Sequence, residues 1–317
     1  MSRPVSPRPG VAPLDGVLVV DKPRGITSHD VVARVRRILS TKRVGHVGTL
    51  DPMATGVLPL VLERATRLAS FLSTGDKVYH AVIRLGVTTD TYDAMGTVIE
   101  AGSRVSGPTI DRAAVETVAK RFTGTFLQTP PPYSAKKIGG VRAYRLARKK
   151  TPVTPKPVDV EVRAFDIETL EDTQLSCRVT CAPGFYMRSL AHDLGDTLGV
   201  GGCLEQLRRE QSGAFSLADA VSLDSLELQP DTAPSRIVPI GELLPDLPSV
   251  VVTDHGAGLA AHGNTLTKSD FQGESSRSVS GEPGEPTHVR VYDRHGTLLA
   301  IAEERAAGIL HPRIVLV

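Results

Sequence analysis

At 317 residues the chain is too long for one compact core of ordinary size, so two domains are expected. Its 40% hydrophobic and 23% charged residues fit a globular protein; three cysteines argue against a disulfide framework, and no apolar run is long enough to span a bilayer. The net charge of +2 is uneven: residues 241–317 hold six basic and ten acidic residues, a balance of −4, which leaves +6 for residues 1–240.

The first residues, MSRPVSPRPG, are Pro-rich and lack the apolar core of a signal peptide, so residues 1–12 read as a disordered tail of a cytoplasmic protein. Val17 to Val20 then read as a buried strand, broken by Pro23 and Gly25. Thr27-Ser28-His29-Asp30 has the spacing of a capping box, and Val31, Val35, Ile38 and Leu39 follow on one helical face.

Next comes GHVGTLDPMATGVLP, residues 45–59, with three glycines and two prolines around one acid, Asp51. Glycine permits sharp turns and close approach, while Pro52 fixes one backbone angle and removes a donor. Taken locally, the plainest reading is an aspartate capping its own turn. The stretch is neither G-x-G-x-x-G nor a Walker loop, and His46 with Asp51 matches no standard metal-ligand spacing.

Beyond it, GVLPLVLE reads as a strand and RATRLASFL as a helix. Tyr79, Ala81, Ile83 and Leu85 alternate as in a strand. DTYDAMG, with Asp93, is turn-like, and residues 108–123 read as a helix. Residues 117–158 contain no acid but ten basic residues, with Tyr133 and Tyr144 interleaved. This pattern points to a polyanion partner, nucleic acid ahead of a merely solvated basic loop, met by a flexible arm at about 130–156 that carries Lys136, Lys137, Arg142, Arg145, Arg148, Lys149 and Lys150.

VEVRAFDIETL and QLSCRVTCAPGFYMR read as strands, with Leu175, Cys177, Val179 and Cys181 on one buried face. Zinc binding by these cysteines lacks a second Cys/His pair at ligand spacing. A helix from Ser189 buries Leu190, Leu194 and Leu198, and Leu207 taken alone fits a helical stripe. Residues 225–245 have the Pro, Asp and Ser content of a linker, after which only short β pieces appear, with a hairpin at Asp293–Gly296. SDFQGESSRSVSGEPGEP reads as a flexible loop. The expected fold is α+β (mixed α/β) with a largely antiparallel sheet, then a small β-barrel-like domain.

Residues 45–59 closely resemble the signature of the TruB-type pseudouridine synthases. DKPRGITSHDVV, YHAVIRLGVTTDTYDAMG, GFYMRSLAHDLG and LEQLRREQSGAF match that family in order, so the resemblance covers roughly residues 14–220. It implies a pseudouridine synthase catalytic domain at 13–235 and a PUA-like RNA-binding domain at 245–317. It also implies the bacterial stand-alone enzyme, acting on uridine 55 in the T arm of tRNA. No cofactor, metal, guide RNA or membrane is expected, and nothing demands more than a monomer.

The resemblance casts Asp51 as the catalytic carboxylate and Arg188 as its paired arginine. Tyr79 becomes the active-site tyrosine, and Asp93 an acid near the pocket. Tyr186 and Leu207 would line the uracil pocket, and His46 would help displace the flipped nucleotide. Lys22, in the DKP motif, would support the site or contact a phosphate. Met53 stands where a leucine is frequent, a volume-conserving change. The rivals are action on another RNA, guidance by a separate RNA as in dyskerin-like relatives, and a non-catalytic RNA-binding or RNA-folding module. The retained Asp51, Tyr79 and Arg188 disfavour the module.

Overall fold

The computed structural model describes residues 14–101, 110–133, 137–138, 141–142, 155–272 and 287–317. Its centre is an 11-stranded sheet. Eight strands form the main path: β1 (Gly16–Lys22), β2 (Thr55–Leu62), β3 (Lys77–Leu85), β4 (Gly124–Gln128), β5 (Val158–Glu171), β6 (Gln174–Cys181), β7 (Gly202–Ser212) and β8 (Val221–Ser222). Their spatial order is β8-β1-β2-β7-β3-β6-β5-β4. All neighbours are antiparallel except β8 with β1 and β2 with β7.

Side-chain alternation explains the faces. On β3, Tyr79, Ala81, Ile83 and Leu85 point into the core; on β6, Leu175, Cys177, Val179 and Cys181 do the same. The three cysteines are buried and free, and burial pushes the thiols of Cys177 and Cys181 up to about 12.

The strands β1 and β2 are buried on both faces, which is why their sequences are apolar runs rather than alternating ones. Leu18, Val20, Leu58 and Leu60 face helices α1 (Ser28–Ile38) and α3 (Met187–Thr197), the latter through Leu190 and Leu194. Val17, Val19, Val57 and Val61 face the other way, onto Leu298, Ile301 and Leu316 from the end of the chain. Helix α2 (Arg112–Ala119) is shorter than the 108–123 expected and continues as a 3-10 turn at Lys120–Phe122. The expected capping box at Thr27 and Asp30 is present in both halves.

The C-terminal part is a four-stranded sheet in the order β9 (Ser249–Val251), β10 (His288–Tyr292), β11 (Leu298–Ala306), β12 (Ile309–Val315). It carries a short helix, α4 (Asp254–Ala261), and among the described residues its sheet is open rather than closed into a barrel. The side chain of Arg64 donates to the Leu316 carbonyl at 2.7 Å, and Arg67 donates to that of Val315.

Residues 225–245, linker-like in composition, are packed instead. A helix at Leu223–Leu228 buries Leu223 and Leu226, and Ile237–Pro239 pairs antiparallel with Gly16–Leu18. The prolines and acids that suggested a linker lie between these anchoring apolar residues. Among the described residues, no helix is long and apolar enough to cross a membrane. The expected tail, residues 1–12, lies outside the described residues, as does 273–286 of the loop expected over 269–286; at the start of that loop Lys268–Asp270 form a 3-10 turn that buries Asp270.

Candidate active site

The site is assembled from four places in the chain: the 45–59 loop, the Val87–Ala101 hairpin, the start of α3, and β7 with β3. The loop is held first from α1. Ser28 Oγ accepts from Leu50 N at 2.9 Å and donates to Leu50 O at 3.0 Å, which fixes the residue before Asp51. The turn itself closes through the main chain, Ala54 N donating to Asp51 O at 3.1 Å. Gly25 N donates to Pro52 O at 2.8 Å.

Lys22 reinforces this loop from beneath. Its ammonium donates to the carbonyls of Ala54 (2.7 Å), Pro23 (2.9 Å) and Pro52 (3.3 Å). Burial lowers the Lys22 ammonium to about 8, a fall that nearby Asp51 partly opposes. Lys22 is fully buried, with its ammonium turned onto these carbonyls.

With its turn closed by backbone, the Asp51 carboxylate does not cap it. Both oxygens are taken by Arg188, Nε to Oδ2 at 2.8 Å and Nη2 to Oδ1 at 3.0 Å. Such a fork is the strong, geometrically specific form of the pair. Arg188 is 7% exposed and Asp51 36%, so the arginine is sunk in protein while the carboxylate opens outward. Arg188 also donates to the Thr91 and Tyr133 carbonyls at 3.2 and 2.8 Å. Asp93 lies 3.7 Å from Arg188 and is itself held by Thr91 Oγ1 at 2.8 Å and Met95 N at 3.0 Å. The guanidinium thus gathers two acids and two carbonyls from separate segments.

Tyr79, Leu207 and Met187 share one buried cluster with Leu50, Met53 and Ala54 around Asp51. Burial raises the Tyr79 phenol above its ordinary range, with Arg209 opposing that shift. Leu207 lies on strand β7, opposite Ala81, and not on a helix. Alternation had been masked there by two bulges, between Leu204 and Gln206 and between Arg209 and Gln211. Tyr186 caps the start of α3, which begins at Met187, two residues before the Ser189 start expected. Its backbone is read on both sides by buried Gln128, which accepts from Tyr186 N at 2.9 Å and donates to Tyr186 O at 3.1 Å.

His46 stands at the end of a three-residue strand, Val44–His46, paired with β2, and its Nε2 lies 3.1 Å from Thr49 Oγ1. Burial lowers its imidazole from the ordinary value, with His29 and Arg209 adding to the shift, which favours the neutral ring. The structure therefore brings Asp51, Arg188, Asp93, Tyr79, Leu207 and Lys22 together, with His46 and Tyr186 at the flanks. Of the basic arm, Lys137 pairs with Arg142 in a two-residue hairpin, and Lys136, Arg145, Arg148, Lys149 and Lys150 lie outside the described residues. Among the described residues no group of three or more His, Cys, Asp or Glu could hold a metal ion.

Sequence reading missed Ser28, Gln128 and Arg209. Ser28 looked like the second residue of a capping box, and Gln128 lay in a stretch read only for its charge. Arg209 follows Leu207 at strand spacing, a signal lost once the segment was read as a helix.

Comparison with known proteins follows this geometry. Residues 36–187 match the model of the TruB family pseudouridylate synthase N-terminal domain, and residues 188–236 that of the tRNA pseudouridylate synthase B C-terminal domain. The chain is 44% identical over 312 residues to the tRNA pseudouridine synthase B of Solibacter usitatus, covering 96% of this chain and 100% of that one. It is 41% identical over 310 residues to the protein of that name from Thermobifida fusca, covering 95% and 98%. Among solved structures it is similar to a chain of the archaeal box H/ACA sRNP Nop10-Cbf5 complex, with a TM-score of 0.70, 25% identity and coverage of 95% and 86%. A Cbf5-Nop10-Gar1 complex gives a TM-score of 0.71 at 24% identity, covering 98% and 91%.

Proposed function

The chain belongs to the TruB family of pseudouridylate synthases and converts uridine in tRNA to pseudouridine; from that premise we propose that the uridine is position 55 in the T arm and that Asp51 is the catalytic carboxylate. The observation that carries the site assignment is the two-pronged Arg188–Asp51 pair, with the carboxylate open to solvent and the arginine buried.

The reaction explains the architecture. The N1–C1′ bond of uridine breaks, the uracil turns, C5 bonds to C1′, C5 loses its proton and N1 gains one. Nothing is oxidised and no group leaves, so the protein needs a placed carboxylate and a pocket that retains the detached base. Attack of Asp51 at C1′, addition at C6, and elimination through a glycal all use the same charged carboxylate. Arg188 fixes its direction through both oxygens. Asp93, held by Thr91 and Met95, fixes the arginine in turn.

A uridine inside a folded arm must first leave its stack, at a cost of a few kcal/mol. Tyr79 stacks on the extruded base, Leu207 and Tyr186 wall the pocket, and neutral His46 enters the gap the base leaves. The basic arm at 130–156 supplies phosphate affinity, and the C-terminal sheet acts as the PUA-like RNA-binding part. The enzyme works as a monomer.

The test uses unmodified tRNA labelled with tritium at uridine C5, incubated with the protein alone. Release above an Asp51→Asn control is the expected result, with product mapping to position 55. Equal release by both proteins would remove Asp51 from its role.

A further inference from the structure

Among the described residues, the largest fully buried side chain is Arg209, 1% exposed. A guanidinium taken out of water is costly unless its donors are satisfied and its charge is used. Its partners here are neutral. Nε donates to Val57 O at 2.7 Å and Nη2 donates to Gly48 O at 2.9 Å, and the guanidinium charge opposes the rise that burial imposes on the Tyr79 phenol.

The two acceptor carbonyls bracket Asp51 on both sides. The glycines of the loop are shaped around the same arginine. Gly48 has φ +72°, and a Cβ there would sit 3.1 Å from Arg209 Nη1. Gly56 has φ +101°, and a Cβ there would sit 2.1 Å from the Arg209 carbonyl oxygen, in the parallel pairing of Arg209 with Gly56. Across the sheet, Arg209 is also the register partner of Tyr79. One residue therefore touches the loop before Asp51, the loop after it, and the tyrosine.

We propose that Arg209 is a positioning residue for the isomerisation: it clamps both ends of the Asp51 loop to β7, at the register position of Tyr79, so that carboxylate and phenol keep one spacing while the base turns between them. The proposal rests on the roles given above to Asp51 and Tyr79. A methionine or leucine would fill the space but fix neither partner.

The test is Arg209→Lys, which keeps the charge but replaces a planar fork by one point donor that cannot span both carbonyls. Single-turnover tritium release at saturating enzyme should fall about 100-fold, while tRNA affinity stays within about threefold. In a Tyr79→Phe background the same substitution should cost much less, because the spacing it sets no longer serves a hydroxyl. An equal loss in both backgrounds, or a weakened affinity with an unchanged rate, would overturn the proposal.

Should Arg209→Lys fail to fold, nuclear magnetic resonance of the arginine side-chain nitrogens in the folded protein decides. The Arg209 side-chain hydrogens should exchange slowly with solvent, as donors held by buried carbonyls do; rapid exchange would overturn the clamp. This readout needs no turnover. A wild-type protein that releases no tritium yet shows the slow exchange would fault the assigned reaction and not the clamp.

Discussion

The exchange of partners at Asp51 has an energetic consequence that the Arg188 side chain carries. Arg188 is almost wholly buried and gathers Asp51, Asp93 and two carbonyls. Removing one member of such a pair leaves the rest uncompensated, at about 3–5 kcal/mol. Arg188→Ala should therefore lower unfolding free energy by that order in urea denaturation and abolish tritium release. Loss of activity with full stability would show that the arginine acts on the substrate alone. Lys22 yields a pH signature. Its folded value, about 8, lies below the ordinary lysine value of 10.5, so the unfolded chain binds more protons between the two. Its burial thus costs stability below pH 8, and that cost is relieved as pH rises from about 8 to 10.5. Relative to Lys22→Met, the native protein should gain about 2–3 kcal/mol between pH 7 and 10 in chemical denaturation. A flat difference would mean that Lys22 keeps an ordinary affinity for protons. Asp51, Tyr79 and Arg188 were legible in the sequence because whole motifs carried them. Arg209 was not, because a charged residue on the core face of a bulged strand imitates the polar side of a helix.

Elements explain why the loop can be so rigid without regular structure. Helix α1 donates its first residue to the loop: Ser28 Oγ makes both a donor and an acceptor contact to Leu50. Ser28→Ala would leave both backbone groups of a buried residue without a side-chain partner, at about 2–3 kcal/mol. The expected outcome is that loss in thermal or urea unfolding together with slower tritium release. Normal kinetics after a measured loss of stability would show that α1 supports the fold but not the aim of Asp51. Strand β3 and strand β6 were readable from strict alternation, and α1 from its capping box. The doubly buried β1 and β2 were readable as apolar runs, but their two partners were not, since a run of Val and Leu does not say what covers each face. The 225–245 stretch misled for a related reason. Pro and Asp mark exposed turns, yet single residues such as Leu226 and Ile237 suffice to pin the backbone to the sheet.

At the scale of the molecule, charge and chemistry are divided. Residues 1–240 carry +6 and contain the site, while residues 241–317 carry −4. Positive charge therefore concentrates on the catalytic side, most densely over residues 117–158. Lys149→Ala together with Lys150→Ala should weaken tRNA binding and flatten the salt dependence, each lost phosphate contact lowering the slope by about 0.7–0.9. An unchanged slope in filter binding across salt would place the phosphate contacts elsewhere. Arg64, whose other donors pair with Asp15, gives Nη1 to the Leu316 carbonyl, and Arg67 donates to that of Val315, which seats the acidic sheet against β1 and β2.

The short parallel register between β2 and β7, Thr55 with Arg208 and Gly56 with Arg209, joins segments made far apart in time. During synthesis the Asp51 loop leaves the ribosome early, yet its arginine partners at 188 and 209 arrive only after most of the catalytic part has been made. Contacts of such long sequence separation form late and slowly. A nascent chain lacking β7 accordingly holds Asp51 and Arg188 but not Arg209 or the Leu207 wall, and its sheet lacks the strand that joins β2 to β3. A chain truncated before residue 209 should therefore lack the reaction.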